Sequence, residues 1–236
     1  MIETAMLMAA GLGKRMRPLT ATRPKPLVKV AGKPLMDHAL DRLEAGGIRR
    51  VVVNVHYLAD TVEAHLKARR CGLEFQVSDE RAKLLETGGG LIKAKALLGD
   101  APFFCANSDN LWIDGPQETL GVMQRLWDPA RMDALLLLVP LARATCHSGQ
   151  GDFHMDAAGR LTRRKTAHVA PFVFTGVQIL SPDLLVDPPA EVFSTNIFWN
   201  RAIERGRLYG VSHQGLWFDV GTPRAIPVVE SMLAHG

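Results

Sequence analysis

The sequence predicts an α/β fold: a mostly parallel sheet flanked by helices on both faces, with a smaller antiparallel region toward the C-terminus. Three observations carry this expectation. Through the first 140 residues, short apolar runs of strand length alternate with amphipathic stretches of helix length. The runs are continuously apolar, as strands buried on both faces require. After Pro140 the spacing changes, and a polar turn joins two short runs in the manner of a hairpin.

Taken in order, residues 5–10 form an apolar run halted by Gly11, which reads as a buried strand. Pro34 suits the first turn of a helix over residues 35–45, with Leu35, Leu40 and Leu43 on one face and Gly46-Gly47 as its stop. The β-branched run 51–55 is a second strand. Residues 60–68 then read as a helix burying Val62 and Leu66. Strands are expected at 73–77, 103–106 and 134–139, with helices at 91–98 and 117–127 between them. Residues 153–155 and 161–163 make the hairpin, 172–174 and 177–180 two further strands, and 195–205 and 223–234 two closing helices. No linker or repeat divides the chain, so a single domain is expected over residues 1–236. The change of spacing after Pro140 divides it into halves of residues 1–140 and 141–236.

Of the 236 residues, 47% are hydrophobic and 22% charged, which excludes a disordered chain. The longest apolar run is far too short to span a membrane, and the N-terminus has no basic, apolar leader. Cys71, Cys105 and Cys146 are odd in number and widely spaced, so neither a disulfide framework nor a structural zinc site is expected. A cytoplasmic protein is the expectation, with Cys105 a small hydrophobe of the core.

The charge is concentrated. Between Glu3 and Asp37 there is no acidic residue, but Lys14, Arg15, Arg17, Arg23, Lys25, Lys29 and Lys33 all fall there. The remainder carries 21 basic against 24 acidic residues. A compact positive segment without aromatics suits a small polyanion such as a nucleoside triphosphate better than a nucleic acid.

The first strand runs directly into Gly11-Leu12-Gly13-Lys14-Arg15. In an open parallel sheet the ligand site lies beyond the carboxyl ends of the strands, where glycines let backbone N–H groups approach phosphate oxygens. The P-loop spacing is missing, and Met16 occupies the third glycine position of the dinucleotide fingerprint. An oxidoreductase of that fingerprint would also need an acidic residue ending the second strand, which here ends Asn54-Val55-His56. Asn54 and His56 face the same rim and receive no assigned role.

The longer pattern is far more specific. Ala9-Ala10-Gly11-x-Gly13-x-Arg15-Met16-x-Pro18-Leu19-Thr20, then Pro24-Lys25-Pro26-Leu27 and Gly32-Lys33-Pro34-Leu35, resembles the signature of the sugar-1-phosphate nucleotidyltransferases. The resemblance continues through Glu86-Thr87-Gly88-Gly89-Gly90, Asn107-Ser108-Asp109, Gly151-Asp152-Phe153, Phe174-Thr175-Gly176 and Trp217-Phe218-Asp219-Val220-Gly221. It implies a Rossmann-like fold, with residues 1–140 the nucleotide-binding half and 141–236 the sugar-binding half, and condensation of a sugar 1-phosphate with a nucleoside triphosphate, releasing pyrophosphate. Among short members, the 85–90 and 149–153 segments are most similar to the N-acetylmuramate-1-phosphate uridylyltransferases. The mannose-1-phosphate guanylyltransferases share the first half. At this length there is no room for the C-terminal β-helix of longer members.

Carried over residue by residue, the resemblance implies that Ala10, Gly11, Gly13, Lys14 and Arg15 hold the triphosphate. Arg15 would act on the departing phosphates, and Lys25 would stabilise charge at the α-phosphate. Glu80, Thr87, Gly88 and Gly89 would line the base pocket. Asp109 and Asp219 would hold Mg²⁺, with Asp109 also against the nucleotide. Glu86, Gly151, Asp152, Thr175 and Gly176 would contact the sugar. The partners implied are a nucleoside triphosphate and a sugar 1-phosphate, with no nucleic acid or membrane, in a monomer or weak homodimer. Relatives usually carry glycine where Ser108 stands, which puts a side chain beside the sugar. The chemistry fits these residue types: nucleotidyl transfer needs positioning and charge neutralisation, and the attacking phosphate is already an anion.

Overall fold

The computed structural model describes residues 1–235. Its first half contains β1 (Thr4–Met8), β2 (Lys29–Val30), β3 (Lys33–Pro34), α1 (Leu35–Ala45), β4 (Arg50–Val55), α2 (Ala59–Ala68), β5 (Glu74–Asp79), α3 (Glu86–Leu98), β6 (Phe103–Asn107) and β7 (Asn110–Ile113). There follow α4 (Thr119–Leu126), β8 (Ala134–Pro140), β9 (Phe153–Met155), β10 (Leu161–Arg163), β11 (Phe172–Leu180), α5 (Asn196–Glu204), β12 (Leu208–Ser212), β13 (Leu216–Asp219) and α6 (Ala225–His235).

One nine-stranded sheet organises the molecule, in the order β10-β9-β11-β6-β1-β4-β5, with β8 pairing β11 and β12. The strands β6, β1, β4 and β5 run parallel, and β11 joins them antiparallel to β6. The chain leaves β1 toward β4 and β5 on one side, then returns to place β6 on the other. Strand β1 is therefore the topological switch point, and the carboxyl ends of β1 and β6 open a crevice there.

Alternation along β1 explains the two layers. Ala5 and Leu7 face a cluster with Met36, Leu40, Val62 and Leu120 from α1, α2 and α4, while Met6 faces Leu91, Ala94 and Phe198 from α3 and α5. Burial of each such large side chain stabilises the fold by roughly 1.5–3 kcal/mol before chain entropy is counted. A third cluster joins Met16 and Val28 of the basic segment to Leu111, Phe218 and Val229. It glues the β7–β13 ribbon and α6 onto the loop that follows β1. Cys105 is fully buried, and burial pushes its thiol up to about 12. All three cysteines are free.

The expected helix over residues 35–45 and the hairpin strands 153–155 and 161–163 form with those bounds. Helix α4 starts two residues later than expected, because the Glu118 carboxylate accepts from the N–H groups of Leu120 and Gly121. Helix α3 starts at Glu86 rather than 91. The glycines that argued for a loop are helical because neighbours press against them: a Cβ at Gly89 would fall 2.3 Å from the Glu191 carbonyl oxygen. Residues 172–180 form one strand with a bulge between Phe174 and Gln178, not two strands. Strands β2, β3, β7, β12 and β13 were not anticipated.

Candidate active site

Two adjoining clefts open at the switch point. The first, of about 400 Å³, lies between the strand ends at Met8–Gly11 and Asn107–Asp109 and the start of α3 at Glu86 and Thr87. The second, of about 320 Å³, is bounded by Gly11–Met16 and Gly221. Lys25, Leu84, Gly11 and Asp109 line both, so they mark the junction.

Local sequence fixes the junction. Pro24 and Pro26 frame Lys25 in a single 3₁₀ turn, Lys25–Leu27, whose backbone the prolines stiffen. Gly13 has φ +61°, and a Cβ there would lie 3.0 Å from both Lys25 Cβ and Thr20 Cγ2. Only glycine meets both demands at this position. Thr20 Oγ1 donates to the Gly13 carbonyl, closing the loop. Lys25 Nζ then reaches Asp109 Oδ2 at 2.7 Å. Lys14 and Arg15 are exposed and, among the described residues, have no carboxylate partner. Their charge faces the second cleft uncompensated, a setting for phosphate oxygens.

The β7–β13 ribbon pairs Asp219 with the residue that follows Asp109. Asp219 lies opposite Asn110 in register, one residue beyond Asp109. Asp219 Oδ1 and the Arg15 guanidinium both flank Gly221, at 2.9 and 3.3 Å from where its Cβ would stand. Both carboxylates are partly exposed, at 32% and 25% of their side-chain surface. Among the described residues no group of three or more His, Cys, Asp or Glu could hold a metal ion. Two hard carboxylates with room for phosphate oxygens and water fit Mg²⁺, which is typically shared with a substrate's phosphates.

The α3 side of the first cleft rests on a buried carboxylate. Glu80 is fully buried. Its Oε1 accepts from Asn54 Nδ2 at 2.8 Å and its Oε2 from the Leu85 N–H at 3.2 Å. Asn54 Oδ1 in turn accepts from the Ala9 N–H at 2.7 Å. Glu80 thus supports the floor rather than lining the cleft, because both oxygens are spent on the protein. Gly88 and Gly89 are also turned inward, their N–H groups donating to the Phe193 carbonyl.

The structure accordingly gathers Ala10, Gly11, Gly13, Lys14, Arg15, Lys25, Glu86, Thr87 and Asp109 around the clefts. It leaves Glu80, Gly88, Gly89, Gly151, Asp152, Thr175, Gly176 and Asp219 outside both linings, Asp219 standing next to the second through Gly221. Thr175 and Gly176 form the wall behind them: a Cβ at Gly176 would strike Asn107 and Asn110, and the Thr175 carbonyl accepts from Asn110 and Trp217. Asp152 Oδ2 accepts from the Phe174 N–H, and the Gly151 carbonyl from Arg164 Nε, so these two fix the β9–β11 edge. Ser108 turns its hydroxyl back to the Met8 carbonyl at 2.7 Å, so the extra side chain is satisfied internally. Asn54, Asn107 and Ser194 line the first cleft without a predicted role. Asn54 and Asn107 could be found as polar residues ending apolar strands; nothing in the sequence marks Ser194.

Comparison with known proteins gives four findings. Residues 4–145 match the family described as nucleotidyl transferase. The chain is 46% identical, over 99% of its length and 98% of the relative's, to an N-acetylmuramate alpha-1-phosphate uridylyltransferase of Caulobacter vibrioides. It is 29% identical to a mannose-1-phosphate guanylyltransferase catalytic subunit beta of Danio rerio, with 93% of this chain spanning 61% of that protein. In fold it is similar to a UDP-glucose pyrophosphorylase crystallised with UDP-glucose, at a TM-score of 0.81 and 16% identity over 100% of this chain and 99% of that one.

Proposed function

The chain belongs to the nucleotidyl transferase family, and on that premise we propose that it joins UTP to N-acetylmuramate α-1-phosphate, giving UDP-N-acetylmuramate and pyrophosphate. The observation that carries the chemistry is the Lys25–Asp109 pair at the junction of the two clefts. The full-length identity to the uridylyltransferase supports the choice of substrates.

In this reading a phosphate oxygen of the sugar 1-phosphate attacks the α-phosphorus of UTP. The bond from that phosphorus to the oxygen bridging the β-phosphorus breaks, and pyrophosphate leaves. The Gly11–Gly13 backbone and Lys14 hold the triphosphate in the second cleft, and Arg15 balances the charge that builds on the leaving group. Lys25 stands at the junction, where the attacked phosphorus would lie and where transition-state charge is greatest. Asp109 and Asp219 would hold Mg²⁺, which when bound neutralises phosphate charge and aligns the oxygens. No side chain is asked to remove a proton, because the nucleophile is an anion at neutral pH. Glu86, Thr87 and Asn107 frame the first cleft, which takes the remaining parts of the two substrates. Gly151, Asp152, Thr175 and Gly176 shape its wall on the sugar side, and Glu80 with Gly88 and Gly89 supports the base side.

Among the described residues no helix is long and apolar enough to cross a membrane. Three free thiols suit the reducing cytoplasm, where we place the reaction. We expect activity as a monomer or weak homodimer.

The test is pyrophosphate release with Mg²⁺, crossing UTP, GTP, dTTP, CTP and ATP with N-acetylmuramate, mannose, glucose and N-acetylglucosamine 1-phosphates. Rapid release with UTP and N-acetylmuramate 1-phosphate alone is expected. Preference for GTP and mannose 1-phosphate would keep the chemistry and replace the substrates. No release with any pair would overturn the reading.

A further inference from the structure

We infer that His147 is a positioning residue for Asp219: its imidazole fixes one carboxylate oxygen and so aims the other toward the metal and phosphates. The inference rests on the metal role proposed for Asp219.

The segment before His147 is tied to β13. The Thr145 carbonyl accepts from the Asp219 N–H at 3.0 Å, and Thr145 bridges Phe218 in parallel. Cys146 then takes a left-handed backbone, φ +63°, which turns the next side chain back across the ribbon. His147 Nδ1 lies 3.4 Å from Asp219 Oδ2. A carboxylate only accepts, so Nδ1 carries the proton and donates. The ring is backed by Trp217, with centroids 6.2 Å apart, and Trp217 is itself pinned through Nε1 to the Thr175 carbonyl.

The other ring nitrogen shows that His147 acts through Asp219 rather than on a ligand. His147 Nε2 is buried and has no hydrogen-bond partner. It faces Gly149, where a Cβ would stand only 2.4 Å away. The imidazole is thus seated over a residue whose side chain would displace it, with a single polar outlet, the Asp219 carboxylate. Such outer partners orient metal-binding carboxylates and commonly change metal affinity by about 10–100-fold when removed.

The test is Mn²⁺ binding to the full-length chain with UTP present, followed by electron paramagnetic resonance, alongside thermal melting and the KM for the sugar phosphate. His147→Leu is expected to weaken Mn²⁺ binding about 10–100-fold, with melting and that KM unchanged. His147→Asn, whose Nδ2 can stand where Nδ1 stood, should restore most of the affinity. Gly149→Ala should weaken binding while keeping the imidazole. Weak Mn²⁺ binding by Asp219→Asn with normal binding by His147→Leu would overturn the positioning role and leave the metal role standing. Unchanged binding by Asp219→Asn would overturn both. An Asn variant as weak as the Leu variant would assign the loss to packing and also overturn the inference.

Discussion

Lys25 and Asp109, 84 positions apart in the chain, meet through a 2.7 Å ion pair between Nζ and Oδ2. Lys25 comes from a proline-stiffened turn and Asp109 from the loop that leaves β6, so the pair locks the basic segment to the centre of the sheet. Only 11% of the lysine side chain is exposed, which limits its freedom to swing away. A cation held this firmly costs little to reorganise when charge develops beside it.

Lys25→Ala should therefore lower kcat by about 10²–10³-fold, the loss typical of a preorganised charge donor. Steady-state kinetics with a circular dichroism melt on the same sample checks both parts. A folded variant with near-parental kcat would remove Lys25 from the chemistry.

Gly13→Ala attacks the same lysine from behind. The new methyl sits 3.0 Å from Lys25 Cβ in a left-handed backbone, so the turn must shift. Displacements on the order of 1 Å at a reacting centre can cost ~10²-fold. A fall in kcat/KM of that order is expected, and unaltered kinetics would show that the loop relaxes without moving Lys25.

Gly90→Ala tests the floor of the first cleft. Its Cβ would approach Glu80 Oε1 to 2.8 Å and Asn54 Nδ2 to 3.1 Å, between two groups already committed to each other. Overpacking of this kind costs about 1–3 kcal/mol. At Gly11, by contrast, nothing lies within 4 Å of a Cβ, so Gly11→Ala should leave stability unchanged. Urea unfolding of the two variants decides it: equal midpoints would mean that the floor yields.

Stability should also depend on pH through two histidines. Burial, as the leading cause, holds the pKa of both His213 and His38 below the ordinary 6.5. His213 Nε2 faces the carbonyls of Ile113 and Leu216, so it carries the proton of the neutral ring. With folded values below the unfolded one, the unfolded chain binds more protons between the two. The contribution of these residues is thus complete above about pH 6.5 and is lost as pH falls toward their folded values. Melting temperature should drop from pH 7 to pH 5, and His213→Gln should flatten part of that slope. A slope identical to the parent's would clear His213 of the effect.

The parallel half of the fold was legible because its strands are continuous apolar runs and its helices carry a clear 3.6-residue pattern, as with Leu35, Leu40 and Leu43. The phosphate side of the site was legible for a different reason. Gly13, Lys25 and Asp109 were assigned by the motif resemblance, and the structure brings all three to the lining of the second cleft. Strand β7 was missed because four residues following a motif aspartate offer too little pattern, and β12 because Gly210 interrupts it. The start of α3 was missed because the fit of Phe193 and Glu191 against Gly88 and Gly89 is a tertiary fact that overrides low helix propensity. The role of Glu80 was misplaced on similar grounds. The resemblance gave Glu80 to the base pocket, whereas Asn54 and Leu85 use both of its oxygens.

The pairing of β13 with β7 has a consequence for the order of assembly. Asp219 finds its place only against a strand synthesised roughly a hundred residues earlier. On the ribosome, where domains begin to fold as they emerge, β1, β4, β5 and β6 can dock before that ribbon exists. The loop after β1 then still lacks Phe218 and Val229, which pack on Met16 and Val28, and Asp219 is still untranslated. Nascent chains can pair the parallel strands early, but Asp219 meets Asn110 only once the last strand is made.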